Sequence, residues 1–264
     1  MTGRAPVREL FGYQVTAATL DQAVEICAEA VRSREPLNIA VLNAGKIARA
    51  DRDPRLREAL TSCDITFADG MAVVWASRWL RRRLPERVAG IDLFTRLLEH
   101  ASREGLRVYL LGAQPKVLAL VRQQVATGYP GAVVVGARDG YFADAEAAQV
   151  AAEIGRSTPD LLFIAMTSPR KETFIASHRR HLGRIPVVHG VGGSFDVLAG
   201  VTKRAPEAWQ RLGMEWAYRV LQEPRRMFWR YLVTNAQFAR LLARELVAGW
   251  RARGERPPQQ RVRQ

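Results

Sequence analysis

The chain has 264 residues, 48% of them hydrophobic, which is enough to bury the core of an α/β domain and too many for a disordered chain. No apolar run nears the roughly 20 residues that a membrane-spanning helix needs, and Met1 to Gly12 lacks the apolar centre of a secretory signal, so a cytoplasmic protein is expected. The formal charge of +14 points to phosphate-bearing partners (nucleotide, anionic lipid or nucleic acid), while Cys27 and Cys63 read as core thiols rather than a disulfide framework or zinc cluster.

In chain order, Leu37–Asn43 reads as a buried strand, and Asp53-Pro54 starts a helix, aspartate as cap and proline in the first turn. Asp64–Ala68 is a second strand ending at Asp69-Gly70, and Met71–Leu80 is helical. Asp92 is expected to cap a helix running to about Ser102. Strands at Arg107–Leu111, Ala132–Gly136, Leu161–Met166 and Ile185–His189 then alternate with helices over Lys116–Ala126, Ala143–Arg156 and Arg170–His181. This repetition predicts an α/β fold, a Rossmann-like and mostly parallel sheet with helices on both faces. Ligands of such sheets bind outside the carboxyl ends of the strands, which makes Asn43, Asp69, Gly112, Asp139, Lys171 and Gly190–Gly193 site candidates.

After Lys203 the pattern changes to helices, from Glu207 to about Val247, broken at Gly213 and Pro224. The expected organisation is a core over 1–203, a helical appendage over 204–250 and a basic disordered tail over 251–264. From Thr202 onward there are 14 Lys/Arg against 5 Asp/Glu, together with four of the six tryptophans, Trp209, Trp216, Trp229 and Trp250. Arginine mixed with tryptophan suits a lipid headgroup boundary. The same mixture suits single-stranded nucleic acid, or a solvated helical face over core tryptophans.

The chemistry-bearing residues are few. The four histidines are scattered; His178 and His181 stand three apart, but Arg179 and Arg180 beside them favour a solvated face, so no metal site is expected. Gly190-Val191-Gly192-Gly193 has backbone N–H groups that suit a diphosphate, and reads equally as a tight turn. Asp69 stands where a reacting hydroxyl would be deprotonated, and also where a helix cap would stand. Arg219, Arg226 and Arg230 lie roughly on one helical face, with Arg225 beside them, and arginine there serves a diphosphate or a lipid headgroup.

Taken in order, these strings resemble one family. They are Leu42-Asn43-Ala44, Arg52-Asp53-Pro54, Asp69-Gly70-Met71-Ala72 through Arg78, and Glu86-Arg87-Val88-Ala89-Gly90-Ile91-Asp92-Leu93. Leu110-Leu111-Gly112, Gly140-Tyr141-Phe142, Ser168-Pro169-Arg170-Lys171-Glu172 and Gly190-Val191-Gly192-Gly193-Ser194-Phe195-Asp196 follow. Lys203-Arg204-Ala205-Pro206, Gly213-Met214-Glu215-Trp216 and Glu223-Pro224-Arg225-Arg226 complete the series. Over Leu37 to Tyr231 the chain is similar to the WecG/TagA/CpsF glycosyltransferases.

That resemblance implies a Rossmann-like core with a carboxyl-terminal appendage. It also implies inverting transfer of a sugar from a UDP-sugar, without metal or cofactor, to an undecaprenyl-diphosphate-linked saccharide in cell-surface polysaccharide synthesis. The donor sugar would be N-acetylmannosamine, its uronic acid, glucuronate or glucose. By the same resemblance Asp69 is the general base, Arg219, Arg226 and Arg230 neutralise the leaving diphosphate, and Tyr141 stacks on uracil. Asp196 would bind ribose, Gly190, Gly192 and Gly193 the diphosphate, and Asn43 and Lys171 the sugar, with Gly70, Arg87, Asp92 and Gly112 also lining the site. The implied partners are the two substrates and an anionic membrane surface on the inner face of the cell membrane, not nucleic acid; a homo-oligomer is compatible. A nucleic-acid-binding protein and a non-catalytic UDP-sugar-binding protein are the competing readings. Two positions depart from the family pattern: Val41, where members often carry threonine, and Lys171, where they commonly carry glutamine. A cation at Lys171 favours a donor whose sugar carries a carboxylate.

Overall fold

The computed structural model describes residues 5–254, except Leu212, Glu223 and the side chains of Arg211, Arg219, Arg226, Met227, Arg230 and residues 251–254. Ahead of the alternating region, β1 (Val7–Leu10) and β2 (Tyr13–Thr16) pair antiparallel. Phe11 and Gly12, at φ 55° and 76°, form the two-residue turn between them. Helix α1 (Leu20–Ser33) follows, opened by a capping box between Thr19 and Gln22.

The main sheet contains β3 (Leu37–Leu42), β4 (Ile65–Ala68), β5 (Arg107–Gly112), β6 (Val133–Arg138), β7 (Leu161–Ala165) and β8 (Val187–Gly190). Every pairing in it is parallel, in the order β4-β3-β8-β7-β5-β6, so the expected α/β fold is the observed one. The inner strands bury both faces. Val108 and Leu110 of β5 join Leu161 and Phe163 of β7 on one face, while Tyr109 and Leu111 join Leu162 and Ile164 on the other.

Helices α1, α5 (Gly90–Glu104), α6 (Pro115–Gly128) and α10 (Ser194–Leu198) cover the first face. The second is covered by α2 (Ala44–Ala50), α3 (Pro54–Thr61), α4 (Met71–Trp79), α7 (Ala147–Arg156), α8 (Arg170–Ser177) and α9 (Arg179–Leu182). The chain therefore leaves β3 toward one face and the adjacent β8 toward the other, which opens a crevice at their carboxyl ends.

Beyond the core come α11 (Glu207–Arg211), α12 (Glu215–Gln222) and the 31-residue α13 (Pro224–Gly254). α13 returns to the body: Phe238 and Leu242 are buried against α2, α4 and the hairpin, and the Phe238 ring lies 5.1 Å from that of Phe11.

Several elements differ from the sequence reading. The hairpin, α1 and α2 were not anticipated. The helix expected over Arg170–His181 is divided at His178 into α8 and α9. The helix given to Asp92 begins instead at Gly90 with Ala89 as its cap residue; Asp92 sits in the first turn, and its carboxylate is engaged elsewhere. The start at Asp53-Pro54 stands as read, with Asp53 accepting from the Leu56 N–H at 3.1 Å.

Candidate active site

Asp69 follows β4 directly, and it does not cap α4. Gly70 is the cap residue there and makes no side-chain cap bond. The Asp69 carboxylate turns toward the crevice, where Oδ1 accepts from the Gly90 N–H at 2.9 Å and Oδ2 from Asn43 Nδ2 at 3.2 Å. Asn43 also caps α2, its Oδ1 accepting from the Lys46 N–H at 3.0 Å. A β-carbon on Gly70 would stand 3.1 Å from Asn43 Cβ, a contact tight enough to press on Asn43.

Behind this pair lies a buried charge cluster that the sequence reading did not assemble. Glu172 Oε1 is 3.1 Å from both Lys46 Nζ and Lys171 Nζ, and Lys46 also donates to the Val41 carbonyl at 2.7 Å. All three side chains are almost wholly buried. Burial alone would raise the Glu172 carboxyl, but the two ammonium groups outweigh it and hold the carboxyl down at about 2. One anion shared by two cations leaves Lys171 poorly compensated, and burial with the Lys46 charge brings its ammonium down to about 8. The Lys171 stem runs under Gly190, where a β-carbon would meet its Cδ at 3.1 Å, and Nζ ends 4.0 Å from where a β-carbon of Gly192 would stand. Lysine and the glycine turn are thus fitted to one another.

The turn's own N–H groups are mostly committed. Those of Val191 and Gly192 donate to the Ile164 carbonyl at 2.9 and 3.3 Å, and that of Ser194 to Val191. Among the described residues this leaves Gly193 as the turn's remaining donor, a narrower anion cradle than the glycine pattern suggests. Asp196 is beside it, with Oδ2 3.9 Å from a β-carbon built on Gly193.

At the far side of the sheet, Gly112 is required by backbone geometry: its φ is 115°, and a β-carbon would lie 2.5 Å from the Ala165 backbone. The loop after β6 folds back over it. Gly140 donates to the Ala113 carbonyl, and Arg170 fastens the loop by donating to the Gly140 and Phe142 carbonyls at 2.7 and 2.5 Å. Tyr141, at the tip, is 70% exposed and borders a surface cavity of about 440 Å³ that Tyr109, Leu118, Arg122 and Arg138 also line. Tyr141 follows β6, the edge strand five spacings or roughly 24 Å from β4, so it and Asp69 stand toward opposite edges of the sheet.

Arg87 and Asp92 are brought together, but with the appendage. Arg87 donates to Glu215 at 2.8 Å and stands 3.8 Å from Asp92, while Arg204 pairs with Asp92 at 2.6 Å and with Glu215 at 3.6 Å. This square of two arginines and two carboxylates joins α5 to the start of α12. The side chains of Arg219, Arg226 and Arg230 lie outside the described residues. Among the described residues no group of three or more histidine, cysteine, aspartate or glutamate side chains is placed to hold a metal ion. Cys27 is buried and Cys63 half-buried, and burial pushes both thiols up, to about 12 and about 11.

Residues 8–252 match the model of the glycosyl transferase WecG/TagA/CpsF family. The chain is 40% identical, over 189 residues covering 72% of each protein, to the N-acetylglucosaminyldiphosphoundecaprenol N-acetyl-beta-D-mannosaminyltransferase of Bacillus spizizenii strain W23. A family match over nearly the whole chain, joined to a relative 40% identical over 72% of each protein, leads to one conclusion: this protein belongs to the WecG/TagA/CpsF family of glycosyltransferases.

Proposed function

We propose that the protein transfers a sugar, with inversion, from a UDP-sugar to an undecaprenyl-diphosphate-linked saccharide during synthesis of a cell-surface polysaccharide. The observation that carries this reading is the Asp69 carboxylate, held at the crevice by the Gly90 N–H at the start of α5 and by Asn43, and not spent on capping its own helix α4. In a direct displacement Asp69 takes the proton of the acceptor hydroxyl. The acceptor oxygen bonds to the anomeric carbon as the bond from that carbon to the diphosphate breaks, and UDP leaves with the electron pair. Arg219, Arg226 and Arg230 supply the charge that stabilises the departing diphosphate, so turnover should survive dialysis against EDTA. Asn43 orients the base, and the crevice between Asp69 and Tyr141 takes the donor, with uracil on Tyr141, ribose on Asp196 and the diphosphate across Gly192 and Gly193.

The relative's name makes N-acetylmannosamine the first donor sugar to consider and N-acetylglucosaminyl-diphosphoundecaprenol the first acceptor. The buried ammonium of Lys171 favours the uronic acid form of that sugar, whose carboxylate it would pair with. The deciding experiment offers that acceptor with UDP-N-acetylmannosamine, its uronic acid, UDP-glucuronate and UDP-glucose, and reads UDP release. Acceptor-dependent release from one donor is expected. UDP binding without release from any of them would leave a sugar-nucleotide-binding protein instead, and a preference for the uncharged sugars would remove the role given to Lys171. The variant D69N should lose ~10²- to 10⁴-fold in kcat, the range that a positioned base contributes, with UDP affinity unchanged.

A further inference from the structure

We infer that His189 is a positioning residue for this transfer, acting through Gly90 to hold the N–H that the Asp69 carboxylate accepts. The inference rests on Asp69 being the base proposed above. His189 is a strand residue of β8, wholly buried, with its ring edge-on to Phe163. Its Nε2 lies 3.0 Å from the Gly90 carbonyl oxygen, and the Gly90 N–H donates to Asp69 Oδ1 at 2.9 Å. Gly90 is the first residue of α5 and has no side chain to fix its backbone. Anchored at its carbonyl by the imidazole, it presents its N–H to Asp69 in one direction.

The chemistry of the contact sets the tautomer. A carbonyl oxygen only accepts, so Nε2 carries the proton and Nδ1 does not. Nδ1 is buried and has no hydrogen-bond partner among the described residues. An apolar residue at this inner-strand position would leave no acceptor orphaned, so what the histidine contributes here is the donor aimed at Gly90. The charged groups that face the ring are Lys46 from α2, Lys171 from α8 and Asp69 after β4. Burial above all, with the two lysines adding to it, lowers the imidazole to about 4, so it is neutral at neutral pH.

Two measurements test the assignment. In the ¹⁵N spectrum of histidine-labelled wild-type protein, His189 should show the neutral Nε2–H form throughout about pH 6 to 8. A neutral Nδ1–H form, or titration inside that range, would overturn the proposal without any assay. The second compares H189M, which has no donor, with H189Q, whose amide keeps one. H189M should lose ~10²-fold in kcat, the cost of a slightly misplaced reacting group, with the donor KM and UDP affinity unchanged, and H189Q should recover most of it. Equal losses in the two variants, a rise in KM instead, or no loss in either would overturn the proposal. Wild-type protein silent with every donor would sink the transferase reading instead, and the spectrum would still decide the His189 contact.

Discussion

Asn43 uses both ends of its side-chain amide, one to close the first turn of α2 and one to aim Asp69. At this scale the site is a set of buried polar groups whose protonation also governs stability. Burial lowers His189 from 6.5 to about 4, so the unfolded chain takes up its proton first as the pH falls. The stability it permits is complete above pH 6.5 and is lost between there and about 4. Glu172, depressed by its lysines from 4.5 to about 2, contributes stability above pH 4.5 that is lost as the pH falls toward 2. Lys171 acts at the other end, and its lowered value makes stability rise as the pH climbs from about 8 toward 10.5. The melting temperature should therefore drop in two stages on acidification. The first is worth on the order of 3 kcal/mol and should be absent from H189Q, whose side chain does not titrate. A first stage of equal size in H189Q would show that other groups cause it.

Elements explain what the sequence did and did not reveal. The parallel sheet was legible because each inner strand is a short continuous apolar run ending in glycine or a polar residue, and Asp53-Pro54 marks α3 by its cap. The hairpin was not, because its turn is Phe11-Gly12 rather than an asparagine–glycine or aspartate–glycine pair, and its strands have only four residues each. Phe11 tolerates its positive φ because its ring is buried against Phe238 of α13, a contact 227 positions away that no local pattern announces. Asp69 and Asn43 were legible as strand-end residues, whereas Gly90 entered only as part of a family string, since its contribution is a backbone N–H. The square of Arg87, Asp92, Arg204 and Glu215 likewise needs the fold to bring residues 128 positions apart into contact. Because the charged groups of Arg87 and Asp92 are committed there, we expect them to act by holding α12 in place. Arg87→Met and Arg204→Met should then lower activity by the same factor, and a double-mutant cycle between Arg87 and Glu215 should give a coupling of ~1 kcal/mol. A markedly larger loss of kcat/KM for Arg87→Met would mean that Arg87 also touches the donor.

For the whole molecule, the question is how a chain whose described helices are all too short or too polar to cross a bilayer would reach the lipid-carried acceptor proposed for it. The two halves of α13 answer differently. Its later half is pinned to the body by Phe238 and Leu242, while Phe228, Trp229, Leu232 and Val233, at spacings that share a helical face, are each about half exposed or more. Trp216 and Leu221 of α12 add to that exposed apolar surface, and Arg225 of α13 is exposed as well. Apolar side chains beside arginine suit an anionic headgroup layer better than they suit water. Cutting the chain after Lys203 is a poor test of docking, because it would also uncover the core that Phe238 and Leu242 bury. Replacing Phe228, Trp229 and Leu232 together by serine leaves that core alone. The triple variant should keep the melting temperature of the parent, bind vesicles containing phosphatidylglycerol at least tenfold more weakly, and turn over a short-chain, water-soluble acceptor at the parental rate. Loss of the soluble-acceptor reaction would place these side chains in the crevice rather than at the membrane, and undiminished vesicle binding would move the docking surface elsewhere on this basic chain.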